Sequence, residues 1–116
     1  MFILRYSEEK NRIYIELHNV LSQAEFEAYK SNIIAIIDNS KMGFTVLADL
    51  STCDKSILDR SDSFNVIREY GVKRGFKANA LVLGRESYDI YNRNIQGSNK
   101  HIFLTIEEAE NYLNAL

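Results

Sequence analysis

The sequence predicts a single α/β domain built on a mixed, mostly parallel five-stranded sheet, in the order β-β-α-β-α-β-α-β-α, over residues 1–116. Three observations predict it. Residues Arg12 to His18 alternate cleanly between apolar and polar side chains, the period of a half-buried strand. Phe44 to Leu50 and Ala78 to Leu83 are short runs apolar on both faces, as central parallel strands are. Between these strands lie segments whose apolar residues recur at helical spacing, and alternation of the two element types favours a parallel sheet.

In chain order, Phe2, Leu4 and Tyr6 share one face of a first strand. The polar stretch Ser7-Glu8-Glu9-Lys10-Asn11 turns the chain into the second, where Ile13, Ile15 and Leu17 oppose Arg12, Tyr14, Glu16 and His18. The pair reads as a hairpin. Ser22-Gln23-Ala24-Glu25 is a capping box, in which the serine hydroxyl takes the Glu25 amide and the glutamate reaches back. Phe26, Tyr29, Ile33, Ile36 and Ile37 continue that helix to about Asn39, and Gly43, free to take positive φ, ends it. After the strand ending at Leu50, the loop Ser51-Thr52-Cys53-Asp54-Lys55 leads to a helix capped by Ser56 or Ser61. This helix carries Phe64, Ile67 and Tyr70 and stops near Gly75. Gly84 closes the next strand, and Glu86 to Gln96 reads as a shorter helix. Gly97-Ser98-Asn99 is a turn, and His101 to Leu104 a last short strand. Thr105-Ile106-Glu107-Glu108 opens a final helix striped by Ala109, Tyr112, Leu113 and Leu116. Crossovers between parallel strands are right-handed, so strands laid down in sequence order place the helices mainly on one face. The other face, with Tyr14 and Leu47, is then partly open.

The chain has 46% hydrophobic and 26% charged residues, no proline and five glycines, an ordinary globular composition with no linker-like stretch. Its net charge of −2 argues against nucleic-acid binding, which wants a basic surplus; Lys73, Arg74 and Lys77 form only a small cluster. The single cysteine, Cys53, allows no internal disulfide and fits a reducing compartment. The first residues run quickly into charge, unlike a signal peptide, and no apolar run approaches the ~20 residues of a membrane span. A cytoplasmic protein is expected.

The strand Arg12 to Leu17, the helix opened by Ser22, the strand Val46-Leu47-Ala48-Asp49-Leu50-Ser51 and the tail Ile102 to Leu113 together resemble the STAS-like domains. The tail, a hydrophobic strand followed by a Glu-Glu-Ala helix start and a Tyr-Leu pair, is most similar to their SpoIIAA-like branch, relatives of the anti-sigma-factor antagonists. The resemblance implies a sequentially ordered sheet with helices mainly on one side, and a non-enzymatic role in binding a protein partner. It also implies a switch serine in an Asp-Ser-Ser-Gly setting. By distance from Asp49-Leu50-Ser51 that setting falls on Asp59-Arg60-Ser61-Asp62, where Arg60 replaces the acceptor serine and Asp62 the glycine. Two acids already at the site would repel a phosphate, so Ser56, Asp59 and Ser61 read more simply as helix caps.

Signs of catalysis are absent from the sequence. The glycines are scattered without a phosphate-loop pattern, and His18, His101 and Cys53 show no metal-ligand spacing, so neither cofactor nor metal is expected. Cys53 lies beyond the carboxyl end of a strand, where α/β sites gather, but no neighbouring base in the sequence activates it. The first expectation is therefore an interaction module, binding a protein partner or associating with itself. Its acting surface is the loop Ser51, Thr52, Asp54 and Ser56, the helix start at Asp59, Arg60 and Ser61, and the segment carrying Arg85, Tyr88 and Arg93. The alternatives are a domain that binds a small apolar or lipid-like ligand, motivated by six Phe and seven Tyr, and a minor enzyme using Cys53.

Overall fold

The structure, a computed structural model, describes residues 1–58, 61–94 and 101–116. Among these residues it is an α/β domain with a five-stranded mixed sheet and five helical segments. The strands are β1 (Phe2–Ser7), β2 (Arg12–Leu17), β3 (Thr45–Leu50), β4 (Ala78–Leu83) and β5 (Ile102–Phe103). They lie side by side in chain order. β1 pairs antiparallel with β2, Leu4 opposite Ile15; β2 with β3, β3 with β4 and β4 with β5 pair parallel.

The helices are α1 (Gln23–Asn39), α2 (Lys55–Leu58), α3 (Ser61–Lys73), α4 (Arg85–Asn94) and α5 (Ile106–Asn114). The Ser22 capping box opens α1 with both reciprocal bonds, and Gly43 takes φ +82° beyond its end. After β3 the described residues carry helix over Lys55–Leu58 and again over Ser61–Lys73. Asp54, rather than Ser56, caps the first piece: its carboxylate accepts from the Ser56 amide at 2.9 Å, and its carbonyl from the Ile57 amide at 3.0 Å. The expected turn 97–99 and the end of the helix at Gln96 lie outside the described residues.

The sheet separates two cores. Ile13, Ile15, Leu17 and Ala48 on one face meet Phe26, Tyr29, Ile33 and Ile37 of α1 and Ile67 of α3. Leu47, Ala80 and Val82 on the other face meet Ala109 and Leu113 of α5. The second face is thus not left open at Leu47, which α5 covers. The physical reason is that α5 follows the edge strand β5 and joins no two strands of this sheet, so the handedness rule does not hold it to the side of α1 and α3. Tyr14 packs at the margin of this second core, half-buried, with Arg5 stacked 4.0 Å above its ring and its hydroxyl on Glu110 of α5.

Arg12 anchors α5. Its side chain sits on the polar side of the β2 alternation yet is only 4% exposed. Nε donates to Thr45 Oγ1 at 2.9 Å, and Nη1 donates to the Glu110 carboxylate and to Asn114 Oδ1 at 3.0 Å. A buried guanidinium needs such a full set of partners. Burial raises the Glu110 carboxyl, but the Tyr14 hydroxyl and the charges of Arg12 and Lys10 outweigh it and hold the group below its ordinary value.

Candidate functional site

Two places in the molecule have the make-up of a site. The first is the rim at the carboxyl ends of β2, β3 and β4, where parallel α/β sheets carry their ligands. The backbone knits it. Asn19, at φ +56°, donates its amide to the Thr52 carbonyl at 3.0 Å and accepts the Asp54 amide at 2.7 Å. The loop after β3 is thereby fixed to the end of β2. Gly84 brings the turn after β4 against the same loop: a Cβ there would stand 3.0 Å from the Ser51 carbonyl oxygen, too close for any other residue without a shift. Asp49 orients Ser51, accepting its amide at 3.0 Å and its hydroxyl at 2.6 Å. Lys55 at the start of α2 pairs with Glu86 at the start of α4.

Ser51, Thr52, Asp54, Ser56 and Arg85 are all exposed on this rim, with Tyr88 half-buried beside them. Arg85 leans on Asp89, one turn along α4, at 3.5 Å. The Ser56 amide holds the Asp54 carboxyl below its ordinary range, and Lys55 does the same for Glu86, so both acids are ionised at neutral pH. Asp59 and Arg60 lie outside the described residues, and of Ser61 and Arg93 only the backbone is described. The rim therefore unites two of the three expected segments and leaves the third without a side-chain account.

Sequence reasoning missed one feature of the rim. His18 bridges the Glu16 carboxylate, 3.1 Å from Nε2, and the Thr52 hydroxyl at Nδ1. A carboxylate, imidazole and hydroxyl in a row is the order of a nucleophile relay. An acyl-transfer site also needs free N–H groups for the developing oxyanion. The amides of Asn19, Ser51, Cys53 and Asp54 are each already committed, to Thr52, Asp49, Leu50 and Asn19. Burial pushes the Cys53 thiol up, and Asp54 and Asp49 push it further, so it stays protonated at neutral pH. The two histidines do not meet: His101 bonds the Tyr112 hydroxyl at 2.7 Å. Among the described residues no group of three His, Cys, Asp or Glu side chains is placed to hold a metal ion. Nor is any helix among them long and apolar enough to cross a membrane.

The second place is a cavity of about 340 Å³ between the sheet and the helices α1 and α3. Its floor is Ile13 and Ile15 of β2, Val46 and Ala48 of β3, and Asn79 and Leu81 of β4; its roof includes Tyr29, Phe64 and Arg68. The size falls within the range of small-molecule sites. Leu81 is only half-buried although it sits mid-strand, because this space lies above it. The cavity reaches the surface beside Asn65 and Arg68, which are both exposed and line it. Inside, Tyr29 is 4% exposed, and no hydrogen bond engages its hydroxyl among the described residues. Burial pushes that hydroxyl above its ordinary range. A buried, unpartnered hydroxyl is uncommon in native proteins. In the sequence Tyr29 reads as one more apolar position of α1, and no local signal marks it.

No protein-family model matches this chain, and no curated protein matches it either.

Proposed function

We propose that this chain is a non-enzymatic, STAS-like interaction module of the cytoplasm, which binds a protein partner or a second copy of itself through the rim at the carboxyl ends of β2, β3 and β4. The observation that carries the reading is the joining of two separate segments into one exposed polar surface. The Lys55–Glu86 pair and the close approach at Gly84 hold Ser51 to Ser56 beside Arg85 and Tyr88. A preorganised surface spends little on ordering when it binds. The sequence-ordered sheet agrees with what the resemblance implies. The committed amides and the protonated thiol favour recognition over turnover at this rim.

The test is affinity capture from the native cell alongside size-exclusion measurement, comparing the wild type with the double variant Ser56→Glu/Arg85→Glu. Both positions are exposed, so the thermal midpoint should move by no more than about 3 °C. A partner, or a dimer, held by the wild type should be lost by at least about tenfold in the variant, as opposed charges are introduced at the contact. Identical capture and identical oligomeric state for the two proteins overturn the reading.

A second reading, the binding of a small apolar ligand, draws on one specific observation, the cavity under α3, whose Tyr29 hydroxyl has no hydrogen-bond partner among the described residues. Native mass spectrometry of freshly purified protein checks it: an added mass of a few hundred daltons that survives purification supports it.

A further inference from the structure

Resting on this second reading, we infer that the cavity takes an aliphatic chain ending in a carboxylate, with the head held by Arg68 at the opening and the chain lying over Val46, Ala48 and Leu81. Three observations converge. The walls are almost entirely hydrocarbon, which selects an apolar body. Among the described residues Arg68 is the one charged side chain in the lining, and no ion pair or hydrogen bond with another of them engages it. A guanidinium presents donors in a fork that matches a carboxylate, and Asn65 and Asn79 add two carboxamides to the same lining. A neutral chain leaves that charge unused, and a cationic one is repelled by it. Tyr29, a buried residue of the wall, has a hydroxyl that no hydrogen bond engages among the described residues, and so adds one polar group to the apolar lining. An occupant carrying a second oxygen along its chain satisfies it.

The occupant reaches its place from the side of Asn65 and Arg68, since these are the lining residues that are exposed. The rim residues described above play no part in this site, so the two surfaces can be tested apart.

The experiment is isothermal titration of the full chain with dodecanoate and with dodecan-1-ol, below the concentration at which either self-associates. Dodecanoate is expected to bind at least tenfold more tightly than the alcohol. Arg68→Gln should erase that preference while leaving the alcohol unaffected. Ala48→Leu, which fills the floor without touching Arg68, should abolish binding of both. Should that variant fail to fold, Val46→Phe serves the same purpose. Equal binding of acid and alcohol, both lost on filling the cavity, overturns the carboxylate assignment and leaves the apolar-ligand reading standing. Binding that survives both cavity-filling variants, or no binding of either probe, overturns both.

Discussion

The two faces of the sheet are filled by opposite means. Toward α5 the contact is small against small: Ala80 and Ala109 are both fully buried, and helix and strand close on each other with Val82 and Leu113 sealing the sides. Toward α1 and α3 it is large against large. Phe64 meets Phe26 and Tyr29 edge to face with centroids 5.3 and 5.8 Å apart, and the helices stand off far enough to leave about 340 Å³ above the sheet. Consecutive residues of one strand record the difference. Ala80 and Val82 are sealed, while Leu81 between them is half-open. Close packing is the rule in protein interiors. A face that departs from it beside one that obeys it is a place where the structure has reserved room.

The contrast can be broken most strongly at the latch of the dense face. Replacing Glu110 by Ala strands the Arg12 guanidinium, and the expected cost is about 3 kcal/mol in urea unfolding. Its pH dependence has a definite sign. Glu110 is held below its ordinary value of 4.5 in the folded protein. The stability it contributes is therefore complete above that value and is lost as the pH falls through the lower, folded one. The stability gap between wild type and Glu110→Gln should accordingly narrow in acid, and a gap that widens there would contradict the assignment.

The same substitution placed on each face sharpens the comparison further. Ala80→Leu forces three more carbons into a closed contact and should cost about 1–3 kcal/mol, whereas Ala48→Leu enters the cavity and should stay within about 1 kcal/mol of the wild type. Equal losses in thermal melts would mean that the open face holds no usable space. The smallest effect belongs to Tyr29→Phe. Removing a buried hydroxyl that has no partner among the described residues should leave stability unchanged or raise it by up to about 1 kcal/mol, against the usual loss when a bonded tyrosine is truncated.

Much of the fold was legible because its signals are local. The alternation of Ile13, Ile15 and Leu17 assigned the faces of β2, and Ser22 with Glu25 marked the start of α1. The side taken by α5 was not legible. Ala109, Leu113 and Tyr112 state that the helix is half-buried, but not beneath which face. Arg12 was misleading for the same reason. It occupies a polar position of the alternation and reads as solvated, whereas its partners Glu110 and Asn114 lie 98 and 102 residues further on. The rim was anticipated from the general placement of sites in α/β sheets. The Glu16–His18–Thr52 row was not, because it depends on how β2 registers against the loop after β3. The cavity had no sequence signature at all, since composition does not set the distance between a helix and a sheet.

The latch between Arg12 and the end of α5 also orders events in time. During synthesis the hairpin, α1 and β3 are complete long before residues 110–114 leave the ribosome. Until they do, Leu47, Ala80 and Val82 have no helix above them and the arginine has no counterion. The nascent chain thus carries an apolar strip until Ala109 and Leu113 of α5 fold over it, and such transiently exposed surface is what chaperones hold.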